Sequence, residues 1–141
     1  MGVASALVFA NLGASYGTAK SGVGIASLGV IDSSKVFKAL IPIIMAGILG
    51  IYGIIIAVLL ITQIQPTGLT GQQGFKILGA GLWCGLSALA SGLASGVAGD
   101  AGVRAYAQTD GIFVGMILIL IFAEAIGLYG LIVAIILYAS G

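Results

Sequence analysis

Long stretches of apolar residues with almost no charge constrain the fold of this chain more than any other feature. The hydrocarbon core of a bilayer is about 30 Å thick, and a helix needs about 20 apolar residues to cross it. Four stretches of at least that length fill most of the sequence, at about 2–30, 35–63, 73–106 and 111–140. The sequence therefore predicts an all-α membrane protein with four transmembrane helices, the second of them kinked at Pro42.

The charge and cysteine content exclude several classes of function. Only 6% of the residues are charged and the net charge is +1, so no basic surface is available to neutralise nucleic-acid phosphates. The chain has one cysteine and no histidine, which leaves no disulfide framework within one chain and no usual ligand set for zinc or haem. Because the sequence also lacks a glycine-rich phosphate loop, we expect no ATP-hydrolysing site, no cofactor and no metal in this chain.

The second half of the sequence repeats the first half. The segment 122–131 resembles the segment 45–54, which lies 77 residues earlier. Identical residues at matching positions are Ala46, Gly50, Tyr52 and Gly53 in the first half and Ala123, Gly127, Tyr129 and Gly130 in the second. This repeat predicts two fused helical hairpins, residues 1–64 and residues 72–141.

Glu124 is the only charged residue of the fourth stretch, and Gly47 occupies the matching position in the first half. Glu124 lies roughly 20 Å along a helix that rises 1.5 Å per residue, which places it close to the bilayer midplane. An ionised acid at that depth costs at least about 2.5 to 3.5 kcal/mol. The other three stretches offer no Lys or Arg at matching depth, Lys20 being the nearest. We therefore expect Glu124 to be neutral when it faces lipid and to act as a carrier of protons rather than as half of a static ion pair.

Four residues are predicted to support the site of Glu124: Gly47, Tyr52, Gly127 and Tyr129. The two tyrosines recur in both hairpins, and each could donate a hydrogen bond to the carboxyl group or simply pack. Gly47 marks the equivalent site that has lost its carboxyl group.

Small residues recur at four-residue steps in the first and third stretches. The stripe includes Gly13, Gly17, Ser21, Gly92 and Gly96. Such a stripe lets helix backbones approach closely, either within one bundle or between copies. The length of the stripe favours a tight inner ring of many copies, which head-to-tail contacts generate when the rotation closes.

Four segments of the sequence closely resemble the proteolipid c subunit family of V-type proton ATPases: residues 13–22, 42–48, 97–104 and 113–124. The resemblance implies a rotor ring of proteolipid copies or isoforms, in which the proton-carrying glutamate is Glu124. It also implies a stator subunit that supplies an arginine and two half-channels, and central-stalk subunits that contact the cytosolic loops. The expected membrane is that of the vacuole or another endomembrane compartment.

Lysine and arginine residues predict the orientation of the chain in the membrane. Lys35, Lys38 and Arg104 lie beside the first and third loops, and only Lys76 lies beside the second. The first and third loops are therefore expected to be cytosolic and the termini luminal.

Two alternative functions remain open from the sequence. A sodium-carrying rotor needs several oxygen ligands near Glu124, whereas the second stretch offers only Gly47, Ile48 and Leu49 at that depth. A passive channel or structural proteolipid needs a polar pore lining, whereas the candidate inner face consists of small residues.

Overall fold

A computed structural model describes residues 1–140 of the 141-residue chain and consists of four long helices. The helices are α1 (Gly2–Ile31), α2 (Ile41–Ile61), α3 (Gly71–Gln108) and α4 (Ile112–Ala139). Two short 3₁₀ helices, Ser33–Lys35 and Lys38–Leu40, join α1 to α2, and residues 1–140 contain no strand. The predicted all-α fold is confirmed.

The predicted kink at Pro42 is wrong. Residues 35–40 do not belong to α2, and Pro42 lies in the first turn of that helix. A proline at this position disrupts no hydrogen bond, because the first N–H groups of a helix have no partner inside it. Pro42 therefore begins α2 instead of bending it.

Three of the four helices are long and apolar enough to cross a membrane: α2 with its preceding 3₁₀ turn, α3 and α4. Helix α1 has the length, with 30 residues, but not the apolarity. Its sequence is rich in Gly and Ser and includes Asn11, Thr18 and Lys20, which lower its hydropathy although they leave few charges. The prediction of four spanning helices is therefore confirmed for three helices and not for α1.

Helix α1 lies along α3 in the same direction, with backbone contacts at three levels. A Cβ atom on Gly2 would overlap the backbone of Ile77, one on Gly13 would lie 2.8 Å from the Cα of Leu89, and one on Gly24 would lie 3.0 Å from the Cα of Asp100. Glycine is required where two helix backbones approach this closely. Helices α1 and α3, each the first helix of its hairpin, are thus parallel neighbours.

Helices α2 and α4 pack against this pair and against each other. At one end of the bundle, Ile56 and Leu60 of α2 share a buried cluster with Leu131 and Ala134 of α4. At the other end, Met116 and Leu120 of α4 pack with residues of α1 and α3. The bundle therefore consists of two parallel pairs, α1 with α3 and α2 with α4.

The loop before α2 is tied to the loop before α4 by Lys35. Its Nζ lies 2.6 Å from Oδ1 of Asp110, donates a hydrogen bond of 3.1 Å to the carbonyl oxygen of Tyr106, and sits 5.0 Å from the centre of the Tyr106 ring. The hydrogen bond to Asp110 raises the pKa of Lys35 above its usual value of 10.5. The charged form of Lys35 is therefore favoured in the folded chain.

We expect Lys35→Met to lower the unfolding temperature near neutral pH, and the difference from the wild type to disappear at alkaline pH. The pKa of Lys35 is higher in the folded chain than in the unfolded chain, so the charged lysine stabilises the fold at pH values below its unfolded pKa of about 10.5. This stabilisation is lost as the pH rises through the pKa of Lys35 in the folded chain. Thermal unfolding in detergent, followed by Trp83 fluorescence across this range, measures the effect. The control is Lys38→Met, because Lys38 forms no ion pair among residues 1–140. Equal destabilisation by both variants at every pH would contradict the assignment.

Candidate functional site

The carboxyl group of Glu124 is buried without a hydrogen-bond partner. Both of its oxygens are shielded from solvent, and neither accepts or donates a hydrogen bond within residues 1–140. Glu124 is also absent from the three ion pairs in this part of the chain. A buried carboxylate without a partner is very unfavourable, whereas a protonated carboxyl group is much less so. The surroundings of Glu124 within one chain therefore favour its neutral form.

The nearest cationic residue predicted from the sequence, Lys20, is engaged elsewhere. Its Nζ lies 3.7 Å from Oδ2 of Asp100, and Nε of Arg104 donates a 2.8 Å hydrogen bond to the other oxygen of the same carboxylate. Asp100 is the more buried partner, with 16% of its side chain exposed. Lys20 thus pairs with α3 and leaves Glu124 without a cation from its own chain.

The part of α4 that carries Glu124 is held in place by α3. Oγ of Ser91 donates a buried 2.6 Å hydrogen bond to the carbonyl oxygen of Ala123, the residue before Glu124. A Cβ atom on Gly127 would lie 2.6 Å from Leu49 and 3.3 Å from Ser91, so α4 approaches both α2 and α3 at this level. Ser91 was not predicted from the sequence, because a single serine in an apolar stretch gives no signal of its own. The only hint in the sequence is that Ser91 lies one helical turn from both Ser87 and Ser95, so the three serines share one face of the helix.

The structure brings only one of the two predicted tyrosines to Glu124. Tyr52 of α2 is half-buried, and its phenol group is close enough to interact with the carboxyl group, although no hydrogen bond of acceptable geometry joins them. Tyr129, on the same helix as Glu124, has 63% of its surface exposed. The two residues that match in the repeat therefore occupy different surroundings, and their roles at the site stay predictions.

The outer surface of α4 around Glu124 is apolar. Ile121 and Phe122, which precede Glu124, and Leu128, which follows it, are all exposed. On α2, Gly47 is exposed too, and a Cβ atom added there would meet nothing within 4 Å. Among residues 1–140, no three His, Cys, Asp or Glu side chains cluster in a way that could hold a metal ion.

The predicted stripe of small residues lies inside the chain, at the contact between α1 and α3. Its members Gly13, Gly17, Ser21, Gly92 and Gly96 are all buried there. Gly92 contacts the backbone of Gly13, and Gly96 contacts Tyr16 and Gly17. Oγ of Ser21 has no hydrogen-bond partner among the described residues. The stripe brings two helices together within one copy, and its part in an inner ring stays a prediction.

Comparison with known proteins identifies the family. The sequence profile of the family described as the C subunit of ATP synthase matches residues 1–60 and again residues 78–137. This chain belongs to that family. The two matched segments of this proteolipid begin 77 residues apart, which is the offset at which the string around Glu124 repeats.

Curated relatives of this proteolipid are V-type proton ATPase 16 kDa proteolipid c subunits. The protein from Nephrops norvegicus is 59% identical, over 99% of this chain and 89% of the relative. The protein from Rattus norvegicus is 57% identical over 97% and 88%, and that from Ascaris suum is 56% identical over 99% and 88%. The resemblance predicted from the sequence is confirmed. The chain is an integral membrane protein and a proteolipid c subunit of the V-type ATPase ring.

Proposed function

We propose that Glu124 carries protons from the cytosol to the lumen as the ring turns. The observation that carries this proposal is the carboxyl group of Glu124, buried without a hydrogen-bond partner on a helix whose outer surface is apolar. The relatives from Nephrops and Rattus are named as proton ATPase subunits, which agrees with this role.

The carrier is neutral for most of its path. An ionised acid near the bilayer centre costs at least about 2.5 to 3.5 kcal/mol, whereas the protonated form avoids most of this cost. Glu124 therefore takes up a proton from the cytosolic half-channel of a stator subunit and keeps it while its helix faces lipid.

Release of the proton needs a positive charge beside Glu124, because a nearby cation favours the carboxylate. No residue of the described chain supplies one, since Lys20 and Arg104 are both paired with Asp100. An arginine of the stator subunit provides this charge, and the proton leaves through the luminal half-channel. Tyr52 can donate a hydrogen bond to the carboxylate that forms in this step.

Rotation of the ring has to be driven from outside this chain. Each proton moved against 100 mV requires about 2.3 kcal/mol, and this subunit has no ATP site of its own. Central-stalk subunits contact the loops that carry Lys35, Lys38 and Arg104, which are cytosolic in this orientation, with the termini luminal. The membrane is that of the vacuole or another endomembrane compartment. Helix α1, which is less apolar than the other three, faces away from lipid and is covered by α3 and by other copies.

A hydrophobic carbodiimide tests whether Glu124 is a protonated acid within the membrane. The reagent adds to protonated carboxyl groups and reaches them through the lipid, so we expect selective labelling of Glu124 that decreases as the pH rises. Mass spectrometry of the intact ring and of its peptides measures the label at each pH. Labelling of the loop acids Asp32 and Asp110 provides the comparison with water-exposed carboxyl groups.

The same measurement separates protons from sodium. Sodium chloride at constant ionic strength is expected to leave the labelling rate of Glu124 unchanged. Protection of Glu124 by sodium, but not by potassium, would favour the sodium-carrying rotor. Labelling that does not depend on pH would count against a proton carrier.

A further inference from the structure

A polar pocket lies at the end of the bundle where α2 and α4 begin. It has a volume of about 380 Å³ and is lined by Ser34, Lys35, Lys38, Tyr106, Asp110 and Phe113. The rings of Tyr106 and Phe113, whose centres are 5.1 Å apart, contribute an apolar wall. Phe113 and Glu124 are about 16 Å apart along α4, at 1.5 Å per residue. The pocket is therefore separate from the site of Glu124.

The pocket has one positive charge in excess. Lys35 is neutralised by Asp110, whose Oδ1 lies 2.6 Å from its Nζ. Lys38 is exposed and takes part in none of the ion pairs of residues 1–140. An ammonium group carries three hydrogen-bond donors and no acceptor, so Lys38 offers its donors to an anion. The pocket therefore suits a ligand with a single negative charge.

The two helices that begin at the pocket also favour an anion. Leu40 and Gly111, the residues at which α2 and α4 start, provide no side-chain cap, and neither helix has an acidic residue in its first turn. The start of a helix carries a partial positive charge and directs N–H groups outward, which stabilises a nearby anion. This charge adds to that of Lys38.

The pocket lies at the level of the membrane surface. Lys38 is the first residue of a stretch that is long and apolar enough to span a membrane, and the spanning helix α4 begins at Ile112 on the other side of the pocket. Phe37, next to Lys38, is 84% exposed. An aromatic ring with this exposure is more stable among lipids than in water. A ligand that belongs to the membrane therefore reaches the pocket without leaving the bilayer surface.

We propose that this pocket holds the phosphate group of one anionic phospholipid, with Lys38 as its main partner. Basic pockets between transmembrane helices on the cytosolic side bind anionic headgroups. Only the choice of leaflet rests on the orientation proposed above, in which this end of the bundle faces the cytosolic leaflet and its anionic lipids. One excess charge in the pocket matches one phosphodiester, rather than a headgroup with several phosphates.

A lipid suits the pocket better than a free phosphate ion or an acidic protein loop does. The wall formed by Tyr106 and Phe113 gives apolar contact to the glycerol and the upper acyl chain of a lipid. A free phosphate ion has no apolar part to place there. An acidic protein loop would approach from water, whereas Phe37 and the apolar starts of both helices lie on the membrane side.

A photoactivatable phosphatidylserine tests the pocket in the assembled ATPase. The probe carries a diazirine close to its headgroup and is present in both leaflets of vesicles made mainly of phosphatidylcholine. After illumination we expect label on the peptides that contain residues 34–38 and 106–113, and mass spectrometry measures its amount. The equivalent phosphatidylcholine probe, which has no net charge, is expected to label these peptides about fivefold less, because it lacks the attraction of one lysine.

Substitutions of Lys38 test which charge holds the lipid. Lys38→Gln is expected to reduce the label from phosphatidylserine about fivefold, and Lys38→Arg, which keeps the charge, is expected to retain it. The matched control is Lys76→Gln, the same exchange at the other end of the bundle, where Nζ of Lys76 donates a hydrogen bond to the carbonyl oxygen of Ser140. This control should leave the label in the pocket unchanged.

Asp110→Asn separates an effect of charge from a folding defect. The exchange removes the negative charge that neutralises Lys35, so the label is expected to increase. A substitution that only disturbed the loops would decrease it. A decrease with Asp110→Asn, in an ATPase that is still assembled, would therefore contradict the proposal.

Other results would also overturn the proposal. Equal label from both lipids, or unchanged label in Lys38→Gln, would show that the pocket does not select an anionic headgroup. Complete competition by inorganic phosphate at constant ionic strength would assign the pocket to the free ion. Label that appears only after the cytosolic sector has been stripped from the membrane would mean that a protein partner fills the pocket.

The experiment is independent of proton transport. Adding Glu124→Gln is expected to leave the label unchanged. Because the probe is present in both leaflets, the label does not depend on which end of the bundle is cytosolic. A failure of this proposal and a failure of the proposed function are therefore distinguishable.

Discussion

Replacing Glu124 by glutamine is expected to reduce ATP-driven acidification to about a hundredth of the wild-type rate or less, since a group that transfers protons commonly contributes about 10²-fold or more. Glutamine keeps nearly the same shape and can still form hydrogen bonds, but it cannot take up and release a proton. The amide carries no charge, so the chain should still insert and assemble. Quenching of a pH-sensitive dye in sealed vesicles measures the effect, with the amount of assembled proteolipid determined in the same membranes.

The matched control makes the same acid-to-amide exchange outside the membrane. Asp32 lies in the loop before α2, where its carboxylate accepts hydrogen bonds from the backbone N–H and the hydroxyl group of Ser34. Those hydrogen bonds lower the pKa of Asp32 below its usual value of 3.8, so this acid is ionised at neutral pH and has no proton to carry. Asp32→Asn should therefore keep most of the acidification. Normal pumping by Glu124→Gln, with the variant present in the ring, would remove Glu124 from the transport path.

The overall fold could be predicted because charge is so scarce in this chain. The predicted stretches begin and end within a few residues of the helices, except at the start of α2. There Val36, Phe37, Ala39 and Leu40, which precede Ile41, are apolar like the helix, so composition gave no boundary. For helix α1, a low number of charges was not enough to predict an apolar spanning helix. It has few charges, but Gly and Ser make it less apolar than a spanning helix usually is, and its face is suited to contact with α3 rather than with lipid.

The candidate site was only partly predictable. Glu124 stands out in the sequence because it is the one charge in an apolar helix. The choice between Tyr52 and Tyr129 could not be made from the repeat, since the two positions are equivalent in sequence. Tyr52 lies on α2, which packs against α4, whereas Tyr129 lies on α4 itself, and only the packing of the helices separates the two. Ser91 was missed for a related reason, because its hydrogen bond to the carbonyl oxygen of Ala123 depends on the rotation of α3 about its own axis.

Introducing a side chain at a close backbone contact of α1 and α3 is expected to have an equally large effect, on assembly rather than on chemistry. A Cβ atom on Gly13 would lie 2.8 Å from the Cα of Leu89 and 3.0 Å from the carbonyl carbon of Ala88. These are backbone atoms, so no side chain can move aside. Overpacking of a core commonly costs about 1 to 3 kcal/mol, and a backbone obstacle places Gly13→Val at or above the upper end of that range.

We expect Gly13→Val to separate α1 from α3, to lower the unfolding temperature strongly and to prevent most of the proteolipid from entering the ring. The measurement is the fraction of the variant that migrates with the assembled ATPase on native gels, together with Trp83 fluorescence during thermal unfolding. Gly115→Val is the control, because a Cβ atom at Gly115 in α4 meets nothing within 4 Å. Both exchanges add the same β-branched side chain to a helix, so a difference between them reports the contact of α1 with α3. Full assembly of Gly13→Val would show that this contact is not what joins the two hairpins.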